Sequence, residues 1–441
     1  MANFAKPSAP RFSVEVYQNE FLPEGGREVH AIVTVTSTGG ATATRAAVAR
    51  GPAAVVIMVD CSGSMEYPPE KMRGAREATA AAIDTLRDGT SFAVIAGTHV
   101  AREVYPGRGR LAVADPATRA EAKEALHGLE AGGGTAIGTW LRLADGLLRG
   151  STAPIRHGIL LTDGRNEHED PAVLRATLDA CAGRFTCDAR GVGTDWEVGE
   201  VTGIAGALLG TADIVADPAH LTEDFTHMME KVMGKEVADV ALRLWTPVGA
   251  EIQYVKQVAP AVQDLTGRRT AAGPRAGDYP TGSWGDESRE YHVCVHVPPA
   301  AVGQEMLAAR ASMVLPGPPG GQPTVLGQGL VRAVWTSDAA ASTAINPQVA
   351  HYTGQAELAQ AIQQGLQARK LGDVGGATAK LGRAVQLASV SGNADTAKLL
   401  AKVVDVVDAA AGTVRLKAKV ADADEMTLET RSIQTVRVKK T

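Results

Sequence analysis

Val55 to Met65 read VVIMVDCSGSM, and this stretch decides the fold of the first half of the chain. Its apolar, mostly β-branched start predicts a strand buried on both faces, as in a parallel sheet covered by helices. Asp60, Ser62 and Ser64 follow on the loop at the strand's carboxyl end, where open α/β sheets bind ligands. Their carboxylate and hydroxyl oxygens suit Mg²⁺ or Mn²⁺ better than zinc. As turn and cap residues, the same side chains would need no metal.

Two further stretches place oxygen-bearing side chains at the same edge. Gly132 to Thr135 read GGGT, a flexible loop with one hydroxyl, just before a helical pattern that starts at Ile137. Ile159 to Gly164 read ILLTDG, a second buried strand that ends in the carboxylate of Asp163. Strand ends and helix starts share one edge of a doubly wound sheet, so these loops are expected to meet. Thr135 is also open to interpretation as the N-cap of the following helix.

Together, the three stretches resemble the metal-ion-dependent adhesion site of the von Willebrand factor type A family. The five family positions match Asp60, Ser62, Ser64, Thr135 and Asp163 without a substitution, and the resemblance covers about Ala53 to Lys235. It implies an α/β fold with a doubly wound, mostly parallel, Rossmann-like sheet. It also implies that the serines and threonine bind Mg²⁺ (or Mn²⁺), with both aspartates acting directly or through water. A Glu or Asp of another protein would then complete the metal's coordination.

Composition limits the classes of function. At 441 residues, the chain is long enough for two or three domains, and its formal net charge of −5 argues against a nucleic-acid-binding protein. The first eleven residues lack the apolar core of a signal peptide, and no run of about 18 apolar residues predicts a membrane span. Cys181 and Cys187 could pair in an oxidising compartment, but reduced buried thiols are expected without an export signal. We therefore expect a cytoplasmic protein.

Before and after the α/β region, the sequence pattern is that of antiparallel strands. Arg11 to Tyr17 and Val29 to Ser37 alternate apolar and polar residues, which predicts two antiparallel strands with one wet face. Two strands cannot bury a core alone, so we expect them to join a later sheet. After Lys235, strand-like runs alternate with Gly/Pro-rich turns, as in an all-β sandwich. The predicted segments are 1–50 (strands joining the sandwich), 51–235 (type A domain), 236–340 (sandwich), 345–411 (helical hairpin plus helix) and 412–441 (mobile charged tail).

The last hundred residues carry two further predictions. Glu357 to Leu371, Val374 to Ser391 and Ala394 to Ala411 have helical spacing and resemble one tetratricopeptide-like hairpin plus a helix. One such unit cannot stack into a solenoid, so it is expected to pack on the sandwich. The final thirty residues are mixed in charge and carry hydroxyls that a kinase could modify and a phosphothreonine-reading domain could bind. An ordinary solvated tail or an edge strand is the alternative. The candidate phosphorylation sites are Thr427, Thr430 and Thr435.

The metal edge suggests its own partner surface. Arg165, Glu167 and His168 follow Asp163, and Glu66 follows Ser64, so these side chains could form a rim that selects a partner. A solvated loop explains them equally well. Cys61, between the ligands, is expected to be an inert buried thiol.

Three functions fit this sequence. The first is an intracellular, metal-dependent protein-interaction module rather than an enzyme. The second is an accessory subunit of an ATP-driven, chelatase-like complex; the chain has no Gly-x-x-x-x-Gly-Lys-Ser/Thr loop, so the ATPase would be another protein. The third is a metal-dependent phosphatase or hydrolase that uses Asp60. A phosphoryl-accepting aspartate usually has a second carboxylate two residues later, where this chain has Ser62, and no Gly-x-Ser-x-Gly elbow surrounds the serines.

Overall fold

The computed structural model describes residues 11–38, 53–317 and 321–437, and they form two compact units. The inserted unit is the described part of Ala43–Ala238, together with Gly282–Gly285. The host unit is the described part of Met1–Thr42, Asp239–Thr281 and Asp286–Thr441. The host unit is therefore interrupted along the chain. It begins with three strands: β1 (Arg11–Gln18), β2 (Phe21–Leu22) and β3 (Glu28–Thr38).

The inserted unit is built on a mostly parallel sheet with strand order β10-β9-β8-β4-β5-β6. Every residue of β4 is buried, as its unbroken apolar sequence predicts. β6 and β7 pair with β5 in the antiparallel direction, so one edge is a hairpin. The strands are β4 (Ala53–Asp60), β5 (Ser91–Gly97), β6 (Ala101–Tyr105), β7 (Ala112–Val113), β8 (Ile155–Thr162), β9 (Thr186–Val192) and β10 (Ala212–Val215).

Helices cover this sheet, and two of them, α2 (Pro116–Ala125) and α4 (Pro171–Cys181), begin after an aspartate that caps the first turn. Asp115 accepts from the N–H of Thr118 in a capping box, and Asp170 accepts from that of Ala172. Apolar residues of β4 and of the helices after β4 and β10 share one buried cluster. The helices are α1 (Glu70–Thr85), α2 (Pro116–Ala125), α3 (Ile137–Arg149), α4 (Pro171–Cys181), α5 (Val198–Ala207) and α6 (Leu221–Met233).

The host unit contains two antiparallel-rich sheets, and the N-terminal strands take part in both. β3 pairs with β16 in the sheet β1-β3-β16-β12-β13, whereas β2 pairs with β18 in the sheet β14-β15-β11-β17-β18-β2. The predicted fold class, an α/β sheet inserted into an all-β sandwich, is confirmed. The remaining strands are β11 (Val237–Trp245), β12 (Glu251–Ala259), β13 (Gln263–Asp264), β14 (Thr270–Gly273), β15 (Ala276–Trp284), β16 (Glu287–His296), β17 (Glu305–Leu315) and β18 (Thr324–Trp335).

The C-terminal segment starts with the predicted helices and continues into a two-stranded ribbon and a further helix that the hydrophobic spacing did not predict. Val349 and Tyr352 of the first long helix pack on Ile32 and Val258, so this helix lies on the sandwich as expected. The predicted third helix ends at Val403, not Ala411, because the chain then enters a two-stranded ribbon. The elements are α7 (Ala339–Thr343), α8 (Pro347–Lys370), α9 (Val374–Val390), α10 (Ala394–Val403), β19 (Val404–Asp408), β20 (Thr413–Leu416) and α11 (Asp422–Arg431).

The prediction of a mobile tail over 412–441 is wrong for the residues that the structure describes, 412–437. Leu428 of α11 and Val414 of β20 join the same buried apolar cluster as helices α8 to α10. The mixed charges that suggested a solvated tail form ion pairs with those helices: Lys370–Glu429 at 2.8 Å, Lys402–Asp424 at 2.7 Å and Arg369–Glu425 at 3.4 Å. The charged composition suggested a solvated tail because a short packed helix contributes only a few apolar residues to the core.

The proposed phosphorylation sites do not lie on a mobile segment. Thr430 is fully buried. Thr427 is half-buried and donates to the carbonyl of Ala423 within α11, and Thr435 donates to the carbonyl of Val258 at 2.7 Å. A kinase would have to unfold this packed segment to reach Thr430, whereas phosphorylation of Thr427 and Thr435 stays a prediction.

Two global expectations can be compared directly with the structure. All four cysteines are unpaired and buried, as expected for reduced thiols. Among the described residues, no helix is both long and apolar enough to cross a bilayer.

Candidate metal site

Three loops of the inserted unit meet at the carboxyl edge of its sheet, and backbone hydrogen bonds join them. The loop after β4 accepts at the Cys61 carbonyl from the N–H of Gly132, at 2.8 Å. In return, the N–H of Gly63 donates to the carbonyl of Gly133 at 2.9 Å. The loop after β8 joins them because the N–H of His168 donates to the carbonyl of Thr135, at 3.0 Å. The glycine-rich loop is thus held between two strand ends.

This arrangement brings three hydroxyl oxygens to one point beside Gly164. A methyl group on Gly164 would lie 3.0 Å from the Ser64 Oγ, 3.3 Å from the Thr135 Oγ1 and 3.7 Å from the Ser62 Oγ. The two serine oxygens are 2.9 Å apart. Residues separated by about a hundred positions therefore share one small, oxygen-lined space. Ser62, Ser64, Thr135 and the two aspartates Asp60 and Asp163 are called the oxygen site below.

The two aspartates lie on the buried side of this space and accept hydrogen bonds from the residues around it. Asp60 is fully buried and accepts from the N–H of Ser62 (2.7 Å) and the hydroxyl of Thr162 (2.6 Å). Asp163 accepts from the Ser64 hydroxyl at 2.6 Å. Burial raises the pKa of Asp60 to about 6, and Asp163 adds to this rise, although hydrogen bonds from Ser62 and Thr162 oppose it. A cation in the oxygen site would favour both charged carboxylates.

Thr135 does not cap the helix that follows it. The N–H groups at the start of α3 are bound by the loop after β8: Ile137 donates to the Asn166 Oδ1 (2.7 Å) and Gly138 to the Glu169 Oε2 (2.8 Å). The first N–H groups of a helix need such acceptors, and here they come from a distant loop. The Thr135 hydroxyl therefore faces the oxygen site rather than its own helix.

Sequence reasoning missed a lysine at this site. Lys71, in the first turn of α1, is buried, and its Nζ lies 2.7 Å from the Asp163 Oδ2 and 3.0 Å from the Asp195 Oδ2. Burial lowers the pKa of Lys71, but the two carboxylates outweigh it and raise the pKa above its ordinary value. One signal was available: a lysine is unfavourable beside the positive end of a helix dipole unless a specific partner holds it there.

The four predicted rim residues all have exposed side chains: Glu66, Arg165, Glu167 and His168. Of these, His168 has a defined role, because its Nδ1 accepts from the N–H of Thr135 at 3.2 Å. Tyr67, which the sequence analysis passed over, is 81% exposed next to Glu66. An exposed aromatic ring is typical of residues that anchor a protein partner.

The donor set fits a hard cation. Within residues 11–38, 53–317 and 321–437, no three His, Cys, Asp or Glu side chains are placed to hold a metal, so hydroxyls are required as ligands here. Hydroxyl and carboxylate oxygens are ligands for Mg²⁺ and Mn²⁺. Cys61 adds no soft ligand: burial raises the pKa of its thiol to about 12, with a contribution from Asp60.

Comparisons with known proteins identify the family of the chain. A model described as the von Willebrand factor type A domain matches residues 53–214, and one for the von Willebrand factor type A C-terminal domain matches residues 386–432. The solved structure of a von Willebrand factor type A protein from Catenulispora acidiphila is 53% identical, covers 98% of this chain and 99% of its own, and superposes with a TM-score of 0.92. The chain belongs to the von Willebrand factor type A family.

More distant relatives extend the comparison in different ways. The ArnB paralog VWA2 from Sulfolobus acidocaldarius is 14% identical over 96% of this chain and 98% of its own, with a TM-score of 0.56, so this likeness concerns the fold alone. The uncharacterized protein sll0103 of Synechocystis is 28% identical over 222 residues, 49% of this chain and 51% of that protein. The type A chain thus spans about half the length of this relative. The C-terminal match includes α10 and α11.

Proposed function

We propose that this type A protein binds other proteins through a Mg²⁺ or Mn²⁺ ion held by the oxygen site. The observation that carries the proposal is the meeting of the Ser62, Ser64 and Thr135 hydroxyls within 3.7 Å of one point beside Gly164. Asp60 and Asp163 supply the negative charge that an isolated set of hydroxyls lacks. The bound ion would act as a Lewis acid that accepts an anionic oxygen from outside the chain.

The charges around the site favour an acidic partner. Asp163 shares its charge with Lys71, and Asp60 is held by hydrogen bonds from Ser62 and Thr162. Neutral hydroxyls surround the opening, so a bound dication would keep much of its positive charge. A Glu or Asp side chain of another protein is the ligand that such a cation attracts. Five exposed residues lie next to the site residues along the chain and are candidates for partner selection: Glu66, Tyr67, Arg165, Glu167 and His168.

Calorimetric titration with Mg²⁺ and affinity purification of partners from native lysate, with and without EDTA, test the proposal. Wild-type protein should bind one Mg²⁺ and retain partners that EDTA releases. Asp60→Ala and Ser62→Ala should lose both properties while keeping the circular dichroism spectrum of the folded chain. Ser342→Ala, which removes a hydroxyl from α7, is the control and should behave as wild type. If the Asp60→Ala and Ser62→Ala proteins retain the same partners in EDTA as wild type does without it, the proposal is wrong.

The other predicted functions remain predictions. An accessory role in an ATP-driven complex uses the same oxygen site and differs only in the identity of the partner, so co-purification of an ATPase would indicate it. Absence of catalysis is likewise a prediction; turnover of phosphoesters that Asp60→Asn abolishes would contradict it. A location inside the cell is supported by the four unpaired cysteines and is tested by fractionation.

A further inference from the structure

A second cluster of ligand-type side chains lies in the host unit, on the sheet β1-β3-β16-β12-β13. His30 of β3 and Tyr254 of β12 are both cross-strand neighbours of Cys294 of β16, so the three residues form a row across the sheet. His292 lies two residues before Cys294 and therefore faces the same side. This is the side on which Ile32 and Val258 receive helix α8, whereas His30, at its margin, keeps a third of its side chain exposed.

The polar atoms of three of these residues form an equilateral triangle. The His30 Nδ1 and the His292 Nε2 are 3.2 Å apart, and the Tyr254 hydroxyl oxygen is 3.2 Å from each of them. Nitrogen and oxygen ligands lie about 2.0–2.1 Å from a tetrahedral zinc ion, which puts two such ligands roughly 3.3 Å apart. The triangle therefore already has the spacing of three ligands around one small divalent ion.

We propose that His30, His292 and Tyr254 form a binding site for a late first-row divalent cation such as Zn²⁺ or Cu²⁺. These three residues are called the imidazole site below. Imidazole is a preferred ligand of both ions, and Tyr254 would bind as its phenolate. Binding would break the O–H bond of Tyr254, form a metal–oxygen bond and release one proton to solvent. The third ligand must be a tyrosine, since no described trio of His, Cys, Asp or Glu is suitably placed.

The two imidazoles have the protonation state that metal binding requires. The phenol of Tyr254 does not, because burial raises its pKa, with contributions from Cys294 and Glu28, so a bound cation would have to displace its proton. Burial lowers the pKa of His292 to about 4, with contributions from His30 and Lys256, and burial also lowers the pKa of His30. Both rings are therefore neutral near pH 7, as metal ligands must be. The His30 Nε2, which points away from the triangle, lies 4.0 Å from the Glu28 Oε2. That separation is too long for a hydrogen bond, so the exposed Glu28 carboxylate acts on His30 only through its charge.

Hydrogen bonding is the alternative occupant of the triangle. The phenol O–H and one ring N–H supply two protons, and two hydrogen bonds already give each of the three atoms a partner. A cation would replace both hydrogen bonds, because it accepts an electron pair from all three atoms at once. Titration with the metal distinguishes the two arrangements.

Calorimetric titration with Zn²⁺, and separately with Cu²⁺, tests the proposal on the full chain in excess Mg²⁺, which competes for the oxygen site. Wild type should bind one equivalent and release one proton, measured from the buffer dependence of the heat. Cu²⁺ should also give a tyrosinate-to-copper absorption band. Tyr254→Phe keeps the ring and should bind about 100-fold more weakly without the band, and His292→Gln should bind equally weakly. His127→Ala, which removes an exposed histidine of the inserted unit, is the control.

The outcomes separate this site from the proposed function. Ser62→Ala should lose Mg²⁺ binding and keep the Zn²⁺ equivalent, so either proposal can fail without the other. Wild-type affinity in both Tyr254→Phe and His292→Gln, or no stoichiometric binding to wild type, would overturn the imidazole site. Thermal unfolding of each apo variant checks that a loss of binding does not reflect a loss of the fold.

Discussion

The two clusters of this chain differ in the way the fold brings their ligands together. The oxygen site takes residues from the loops that meet at the carboxyl edge of a mostly parallel sheet. The imidazole site takes residues from the middle of three neighbouring antiparallel strands, where cross-strand register determines which side chains meet. Loops can supply the many small oxygens that Mg²⁺ requires, whereas a pleated face presents a few large rings.

The two sites also differ in the metal ions that they would bind. The oxygen site combines neutral hydroxyls with carboxylates, one of them paired with Lys71, a donor set that would favour hard cations. The imidazole site combines neutral nitrogens with one phenol in a half-buried setting and favours borderline cations. One chain would thus hold two different metals in two units without competition between them.

Gly164→Ala should have the largest effect on Mg²⁺ binding at the oxygen site. The new methyl group would lie 3.0 Å from the Ser64 Oγ and 3.3 Å from the Thr135 Oγ1, inside the space where the hydroxyls meet. Overpacking of this kind costs up to about 3 kcal/mol, which corresponds to about 100-fold weaker Mg²⁺ binding by calorimetry. Gly146→Ala, where a methyl group meets nothing within 4 Å, is the matched control. Undiminished Mg²⁺ affinity in Gly164→Ala would show that the ion binds elsewhere.

Asp188→Asn tests a third polar cluster, which is expected to stabilise the fold without binding a metal. Asp188 accepts from the N–H and hydroxyl of Thr211 at 2.6 and 2.7 Å, and its Oδ2 lies 2.9 Å from the His157 Nε2. Losing its charge should lower the free energy of unfolding by about 2 kcal/mol at pH 7 and leave binding of both metals unchanged. Asp179→Asn, on the exposed side of α4, should have no effect.

The pH dependence of this loss has a defined sign. Burial raises the pKa of Asp188, but His157, Arg190 and Thr211 outweigh it and hold the pKa well below its ordinary value of 3.8. A lowered carboxylate pKa contributes stability that is full above the ordinary pKa and is lost as the pH falls from there through the lowered pKa of the folded chain. Urea unfolding should therefore show the same difference between wild type and Asp188→Asn at pH 7 and pH 5 and a smaller difference at pH 3. Equal differences at all three values would contradict the assignment.

Sequence alone could predict the oxygen site because its residues are short motifs at the ends of strong hydrophobic strands. VVIMVD and ILLTD identify two buried strands, and parallel topology requires their ends to meet. Lys71 escaped notice because a single lysine in a helix has no local pattern. Along the chain, His30 lies more than two hundred residues from both Tyr254 and His292. Only the register of β3, β12 and β16 reveals that the three side chains meet.

The fold was predictable to the same degree and for the same reason. Alternating strands and helices identified the inserted sheet, and the shortage of partners for β1 and β3 indicated that they join a later sheet. The tail was predicted wrongly because α11 is short, with Leu428 as its main apolar contribution, and its charges pair with helices far away along the chain. Local composition cannot distinguish a paired charge from a solvated one.

Lys71→Met tests the electrostatic part of the oxygen site. Without the ammonium group, Asp163 would direct its whole charge at the cation, so Mg²⁺ should bind about tenfold more tightly. The same change leaves less positive charge for an acidic partner, so partner retention should fall although the metal is held more firmly. Arg73→Met, which removes an exposed cation from the same helix, should alter neither quantity. If tighter Mg²⁺ binding came with stronger partner binding, residual charge on the metal would not be the source of attraction.

Lys256→Gln makes the smallest and most specific change, at the imidazole site. The Lys256 Nζ lies 5.0 Å from the centre of the Tyr254 ring, and its charge contributes to the lowered pKa of His292. That charge would also repel a dication between the rings, by the few tenths to 1 kcal/mol typical of partly exposed pairs. Removing it should tighten Zn²⁺ binding about threefold, whereas Lys398→Gln on the exposed face of α10 should not change it. Because neither residue is a ligand, a difference between these two variants would locate the ion beside Tyr254 by its charge alone.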